Sequence, residues 1–223
     1  MSTYKPPIVT VDGVVFQIVN NNLSVLLIRR SAEPFKSALA LPGGYNNAGQ
    51  TTTECLVDIL QKKAGIGSQQ LKLVEQLYTF DSVARDPRGH AVSVTYSCLG
   101  KDIVPSETKS TQTPGFYAVD NLPPLAYDHA DIINYARQRL SAKITYTNAV
   151  FALLDPMFTM TQLQTTYEAI FGRKLDKRNF RKKFLSLDLV RPTNEYLKDG
   201  AHRPARLYTF KDNKLESLSR SFD

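Results

Sequence analysis

The sequence predicts an α+β protein of two units, an α/β/α sandwich with a mixed sheet followed by a smaller helical unit closed by a β-hairpin. Three observations carry that expectation. Strand-like runs rich in β-branched residues fill much of residues 1–143 and enclose one short amphipathic helix. From residue 144 onward helical patterns with recognisable caps take over, and two short strands follow Val190. Basic charge is also uneven, because residues 144–223 carry half of the 28 Lys and Arg residues in little more than a third of the chain.

Composition sets the limits. The chain has 223 residues, 42% hydrophobic and 22% charged, which suits a globular protein long enough for two small domains. No apolar run approaches the roughly 20 residues of a membrane span. The opening MSTYKPPIVTVDG lacks the basic and apolar regions of a signal peptide. Cys55 and Cys98 have no neighbouring Cys or His, so neither a disulfide framework nor a zinc site is expected. A cytoplasmic protein with two free thiols fits these features. The net charge of +7, concentrated toward the C-terminus, is the electrostatic footprint of a polyanion partner.

Residues 8–19 (IVTVDGVVFQIV) and 23–30 (LSVLLIRR), joined by NNN, read as a hairpin. LPGG at 41–44 opens a turn. A helix over 54–63 places Leu56, Ile59 and Leu60 on one stripe, and Gly65 sits where a C-terminal cap belongs. Strands are expected at 71–80, 91–99 and 116–119. A helix starting near Asp128 or His129 presents Ile132, Ile133, Tyr135, Ala136 and Leu140 on one side, and the first domain is expected to end near Lys143. Residues 144–223 form the second. Helical patterns occupy 146–154 and 161–171, with Thr159 or Thr161 as N-cap of the latter and Gly172 as its stop. Asp176 caps a third helix, in which Phe180, Phe184, Leu185 and Leu187 supply the buried stripe. Lys177, Arg178, Arg181, Lys182 and Lys183 lie mostly off that stripe. RPTNEYLKDGAHRPARLYTF then reads as two strands around a basic loop. Helix, turn, cationic helix and hairpin is the layout of a winged helix-turn-helix.

The stretch LPGGYNNAGQTTTECLVDILQKKAGI, residues 41–66, resembles the Nudix box. That pattern runs Gly, five residues, Glu, seven residues, then Arg-Glu-apolar-any-Glu-Glu-any-Gly-apolar. Without gaps, Gly44, Leu60, Gly65 and Ile66 take the structural positions. Gln50 stands for the first Glu, Asp58 for the Arg, and Ile59, Lys62 and Lys63 for the three later Glu residues. In Nudix enzymes those carboxylates hold divalent metals. Magnesium needs hard oxygen ligands and a lysine ammonium has no lone pair to give, so no metal, no cofactor and no metal-dependent hydrolysis are expected here. The resemblance leaves a Nudix-like α/β/α sandwich whose cleft, with Gly43 and Gly44, has the shape for a nucleoside diphosphate. Lys62 and Lys63 either meet phosphate charge there or point to water. Glu54 and Asp58 are ordinary residues of a solvated helix surface.

TFDSVARDPRGHAVSVTYS, residues 79–97, is similar to a segment of ADP-ribose-directed Nudix proteins and their regulatory relatives. Arg85 and Arg88 bracket a turn from which their forks reach a pyrophosphate, or else pair with Asp86 to hold the turn. His129, in LAYDHADI, is expected to be satisfied by backbone rather than to act as a catalyst. Together with FTMTQLQTTYEAIFGRKLDKRNFRKKFL and GAHRPARLYTF, these features resemble the NrtR type of Nudix-related transcriptional regulator over nearly the whole chain. The resemblance implies a homodimeric repressor of NAD-metabolism genes, a palindromic double-stranded DNA operator and ADP-ribose as effector. Relatives of the same architecture answer to a pentose sugar, and a hydrolase using displaced acids such as Asp81 or Asp86 is the enzymatic alternative. On chemistry alone, Arg178 and Asn179 in the first turn of the third helix suit base edges, and the lysines suit phosphates. His202, Arg203 and Arg206 on the wing suit the adjacent groove.

Overall fold

A computed structural model describes residues 5–108, 113–198, 204–218 and 222 of the chain. Strand β1 (Ile8–Val19) is buried from Thr10 to Gln17, as befits a strand covered on both faces. It turns through Asn20 and Asn21, at φ of 49° and 63°, into β2 (Asn22–Arg29). Asparagine tolerates positive φ, and a two-residue turn of this kind matches strand twist. Five further strands follow: β3 (Leu39–Ala40), β4 (Gly43–Tyr45), β5 (Leu73–Phe80), β6 (Ala91–Leu99) and β7 (Gly115–Ala118). The sheet order is β3-β2-β1-β6-β5, with β4 on β1 and β7 on β2. β1 and β6 run parallel while β4, β5 and β7 pair antiparallel, so the sheet is mixed. Strands β3 and β4 were not expected, since strands of two and three residues are too short to show a period.

Helix α1 (Thr52–Ala64) begins in a capping box. Thr51 accepts from the Glu54 amide and the Glu54 carboxylate accepts from the Thr51 amide, so Glu54 is a cap rather than a bystander. It ends at Gly65 (φ 65°), with Ile66 N–H donating to Leu60 O, a left-handed cap that favours glycine. Cys55, Leu56, Ile59, Leu60 and Ala64 pack against Val11, Val15, Leu26, Ile28, Tyr96 and Cys98.

Helix α2 runs unbroken from His129 to Tyr146. The chain divides into one compact unit of residues up to 17 and 24–136, and a second of 18–23 and 137 onward. That division and the expected boundary near Lys143 both fall inside α2. No cap or breaker marks the place, so helical periodicity runs straight across it.

In the second unit, Ala149–Leu153 forms a buried 3-10 turn where the pattern over 146–154 suggested an ordinary helix. β8 (Phe158–Thr159) leads into α3 (Met160–Phe171), whose N-cap is Thr159 and whose capping box is closed by Gln162. Gly172 ends α3 at φ 67°. Helix α4 (Lys177–Leu185) is capped by Asp176, and β9 (Val190–Leu197) and β10 (Ala205–Phe210) complete a β8-β10-β9 sheet. Phe180, Phe184 and Phe210 converge with Tyr167 and Phe222 in an aromatic core. Leu185, expected in that core, is 38% exposed, because its position carries it past the buried side of α4. The α3–α4 turn is tied by Glu168, whose carboxylate accepts from the Leu175 amide, Gln164 Nε2 and Lys174 Nζ, each at 2.9 Å. Burial works to raise the Glu168 pKa, but these donors outweigh it and hold the group below the usual carboxylate range.

Candidate functional site

A cavity of about 270 Å³ opens in the first unit, lined by residues of β1, β2, β3, β4, α1, the 85–88 loop and the start of α2. Small-molecule sites usually hold roughly 300–1,000 Å³, so this one suits a compact polar group and its immediate attachments. Asp12 stands at its base, opposite Gly43 in the β1–β4 register. A Cβ on Gly43 would fall 1.7 Å from Asp12 Oδ1, so glycine at this position leaves the space that the Asp12 carboxylate occupies. Ser93 Oγ donates to Asp12 Oδ2 at 2.5 Å, and Arg85 Nη2 lies 3.6 Å from the same oxygen. Arg85 also clasps Asp128 through Nε and Nη2, both at 2.9 Å.

His129 is fully enclosed. Its Nδ1 accepts the Leu41 amide at 2.9 Å and so carries no proton, which puts the ring hydrogen on Nε2, 3.8 Å from Asp12 Oδ1. Burial lowers the His129 pKa, outweighing the pull of Asp12, and keeps the imidazole neutral. This ring braces the LPGG turn.

Cations crowd the opening. Arg88 donates from Nε and Nη2 to Asp86 at 3.0 and 2.7 Å, and this pair holds Asp86 below its usual range. Its guanidinium lies 5.4 Å from the Tyr45 ring centre and 5.8 Å from that of Tyr127, with Arg30 4.8 Å from Tyr127 on its own account. Burial pushes the Tyr127 phenol up, and its buried hydroxyl has no protein hydrogen-bond partner among the described residues. Lys63 Nζ reaches the cavity wall and donates to the Gly43 carbonyl, while burial lowers its pKa.

The second unit presents a different surface. Lys177, Arg178, Asn179, Arg181 and Lys182 are exposed along α4, and Phe180 and Phe184 turn inward. Asp176 caps the helix through the Asn179 amide at 2.8 Å, which leaves the Asn179 side chain outside the cap. A nine-residue helix with apolar groups on one side and cations on the other fits a major groove.

Two family models match. The NUDIX domain covers residues 9–136 and the NrtR DNA-binding winged helix domain covers residues 150–210. The chain is 35% identical over 94% of its length, and 84% of the relative's, to the ADPR responsive transcriptional repressor NtrR of Acinetobacter baylyi. The chain belongs to the NrtR family. Its structure superposes on the crystal structure of Shewanella oneidensis NrtR complexed with a 27mer DNA with a TM-score of 0.81, at 28% identity, covering 96% of this chain and 99% of that one. The Nudix domain of Shewanella oneidensis NrtR complexed with ADP ribose matches with a TM-score of 0.57 at 30% identity, covering 61% of this chain and 90% of that one.

Within the NrtR architecture, Gly43, Gly44, Lys63, Arg85 and Arg88 all line the cavity. Lys62 does not. It lies on the outer side of α1, where its ammonium is 3.1 Å from Asp58 Oδ2, because a side chain three residues beyond the inward Ile59 is rotated toward position 58. Arg85 is spent on Asp128 and Asp12, so its fork is structural in this arrangement. In the second unit Arg181 Nη2 donates to Tyr208 Oη at 2.9 Å, Lys183 sits 5.4 Å from the Phe222 ring centre, and Arg206 Nε donates to the Thr193 carbonyl. His202 and Arg203 lie outside the described residues. Asp12, Arg30, Tyr45 and Tyr127 were not singled out from the sequence. The one signal for Arg30 was a charged pair, Arg29 and Arg30, ending an otherwise apolar strand.

Proposed function

We propose that this protein is a cytoplasmic, homodimeric transcriptional repressor of NAD-metabolism genes that binds operator DNA through α4 and releases it when ADP-ribose enters the Nudix-domain cavity. One observation carries the reading above all: a capped cationic helix and β-hairpin of the NrtR winged-helix type follow a Nudix domain whose cavity is rimmed by Arg30, Lys63 and Arg88. The likeness to an ADPR responsive repressor over 94% of the chain supports it. Among the described residues no helix is long and apolar enough to cross a membrane.

No metal-dependent catalysis is expected. Gln50 Nε2 donates to Asp58 Oδ2 at 3.0 Å, Ile59 lies in the core, and Lys62 faces Asp58, so the positions that hold a metal in a Nudix box offer no cluster of oxygens. Incubation with ADP-ribose and magnesium or manganese is expected to release no AMP above background. Turnover abolished by EDTA would contradict this.

DNA contacts are assigned to Lys177, Arg178, Asn179, Arg181, Lys182 and Lys183, with Arg206 and the wing residues His202 and Arg203 alongside. Arg178→Ala is expected to weaken operator binding by roughly 1–3 kcal/mol and to relax sequence preference, as for loss of a base contact. Lys182→Ala should weaken all sequences alike and lower the salt slope by about one unit. Fluorescence anisotropy on operator and scrambled duplexes separates the two. Equal losses on both duplexes for Arg178→Ala would make it a phosphate contact, and unchanged binding for both variants would remove α4 from the interface.

A further inference from the structure

The divalent cation of the Nudix hydrolases does not fit this cavity. Among the described residues no three His, Cys, Asp or Glu side chains stand together as ligands. Asp12, the acid at the base, is already engaged by Ser93 and Arg85. What stands at the wall instead is a lysine. Lys63 Nζ hydrogen-bonds the Gly43 carbonyl and lies 3.8 Å from where a Cβ on Gly44 would be, so the glycine pair and the ammonium border the same space.

We propose that the Lys63 ammonium takes the place of that divalent cation, so that the cavity grips a pyrophosphate without any metal. The inference rests on the proposed use of this cavity by a pyrophosphate-containing effector. Charge pairing around the cavity supports it. Arg85 is matched by Asp128 and Asp12, and Arg88 by Asp86. Lys63 and Arg30 instead donate to main-chain carbonyls, Lys63 to Gly43 and Arg30 to Pro34 and Ala32. A carbonyl orients a cation without cancelling its charge. Arg30 and Lys63 together outweigh the one carboxylate charge left over where Arg85 serves both Asp12 and Asp128, so positive charge remains for a pyrophosphate diester, and an ammonium with three N–H groups keeps donors for it beyond the one given to Gly43. The enclosure of Lys63 strengthens the contact, because charge pairs outside bulk water are screened less. Lys62, on the outer side of the helix, takes no part.

The test is calorimetry on the full chain with ADP-ribose, once with magnesium and once with EDTA. Equal affinity in both is expected. Lys63→Met and Lys63→Gln should each weaken binding by roughly tenfold or more, as for loss of a charge-assisted hydrogen bond, and Lys62→Met should leave it unchanged. Thermal melts establish that the variants are folded, and the magnesium comparison needs no variant. Binding that requires magnesium, or Lys63 variants that bind as the wild type does, would overturn the inference while leaving ADP-ribose as effector. If ADP-ribose gives no heat in either buffer, that effector fails, and inorganic pyrophosphate in EDTA becomes the probe. Lys63-dependent heat then sustains the inference, and none overturns it.

Discussion

Replacing Arg85 by Ala is expected to destabilise the first unit by about 3–5 kcal/mol, the usual cost of removing one partner of a buried ion pair. The Arg85 side chain is 4% exposed, and its guanidinium is the shared cation of Asp12 and Asp128. Without it two carboxylates remain where water reaches them poorly, 7% and 19% exposed. Asp12 also abuts Gly43, and Asp128 directly precedes His129, which holds the Leu41 amide. The loss therefore reaches the LPGG turn and the cavity floor together. Arg85→Lys should recover only part of the stability, since a point charge cannot reproduce the two-pronged contact with Asp128. Denaturant unfolding followed by a probe in the first unit measures this. A loss below about 1 kcal/mol would mean that Arg85 is a replaceable surface group.

Phe184→Ala is expected to cost the second unit about 3–5 kcal/mol and to abolish operator binding with it. Phe184 is fully buried and meets Tyr167, Phe180 and Phe222 at ring separations of 5.8, 5.8 and 6.0 Å. A nine-residue helix is too short to persist by propensity, so α4 exists because these rings hold its inner side. Removing the central ring leaves a cavity and frees the helix that carries Arg178 and Lys182. ADP-ribose binding in the first unit should persist in the same variant. Melting and calorimetry on one sample test both halves, and a variant that still binds operator at wild-type affinity would contradict the role given to this core.

Much of this was legible in the sequence, for identifiable reasons. Helix limits came from strong local chemistry: Thr159, Asp176, Gly65 and Gly172 perform the capping their residue types favour. The central strands were plain because burial on both faces makes them continuously apolar. The cavity was only half visible. Glycines and box positions located Gly43, Gly44 and Lys63, but spacing alone put Lys62 on the same side. A helix turns 100° per residue, and the direction of the core decides which of two adjacent lysines faces inward. Ile59 and Gly44 settle that for Lys63. Asp12, Arg30 and Tyr127 come from distant parts of the chain, and only strand pairing brings them together. Likewise Arg181 reads as a free cation until β10 places Tyr208 beside it.

Under the proposed function, occupancy of the Nudix cavity controls DNA binding. The most direct test is fluorescence anisotropy of the full chain on DNA from upstream of its own gene, titrated in turn with ADP-ribose, NAD and arabinose. Tight, salt-dependent binding that ADP-ribose reverses, and that NAD and arabinose leave in place, is the predicted result. Release by arabinose, or a DNA complex indifferent to ADP-ribose at millimolar concentration, would contradict it.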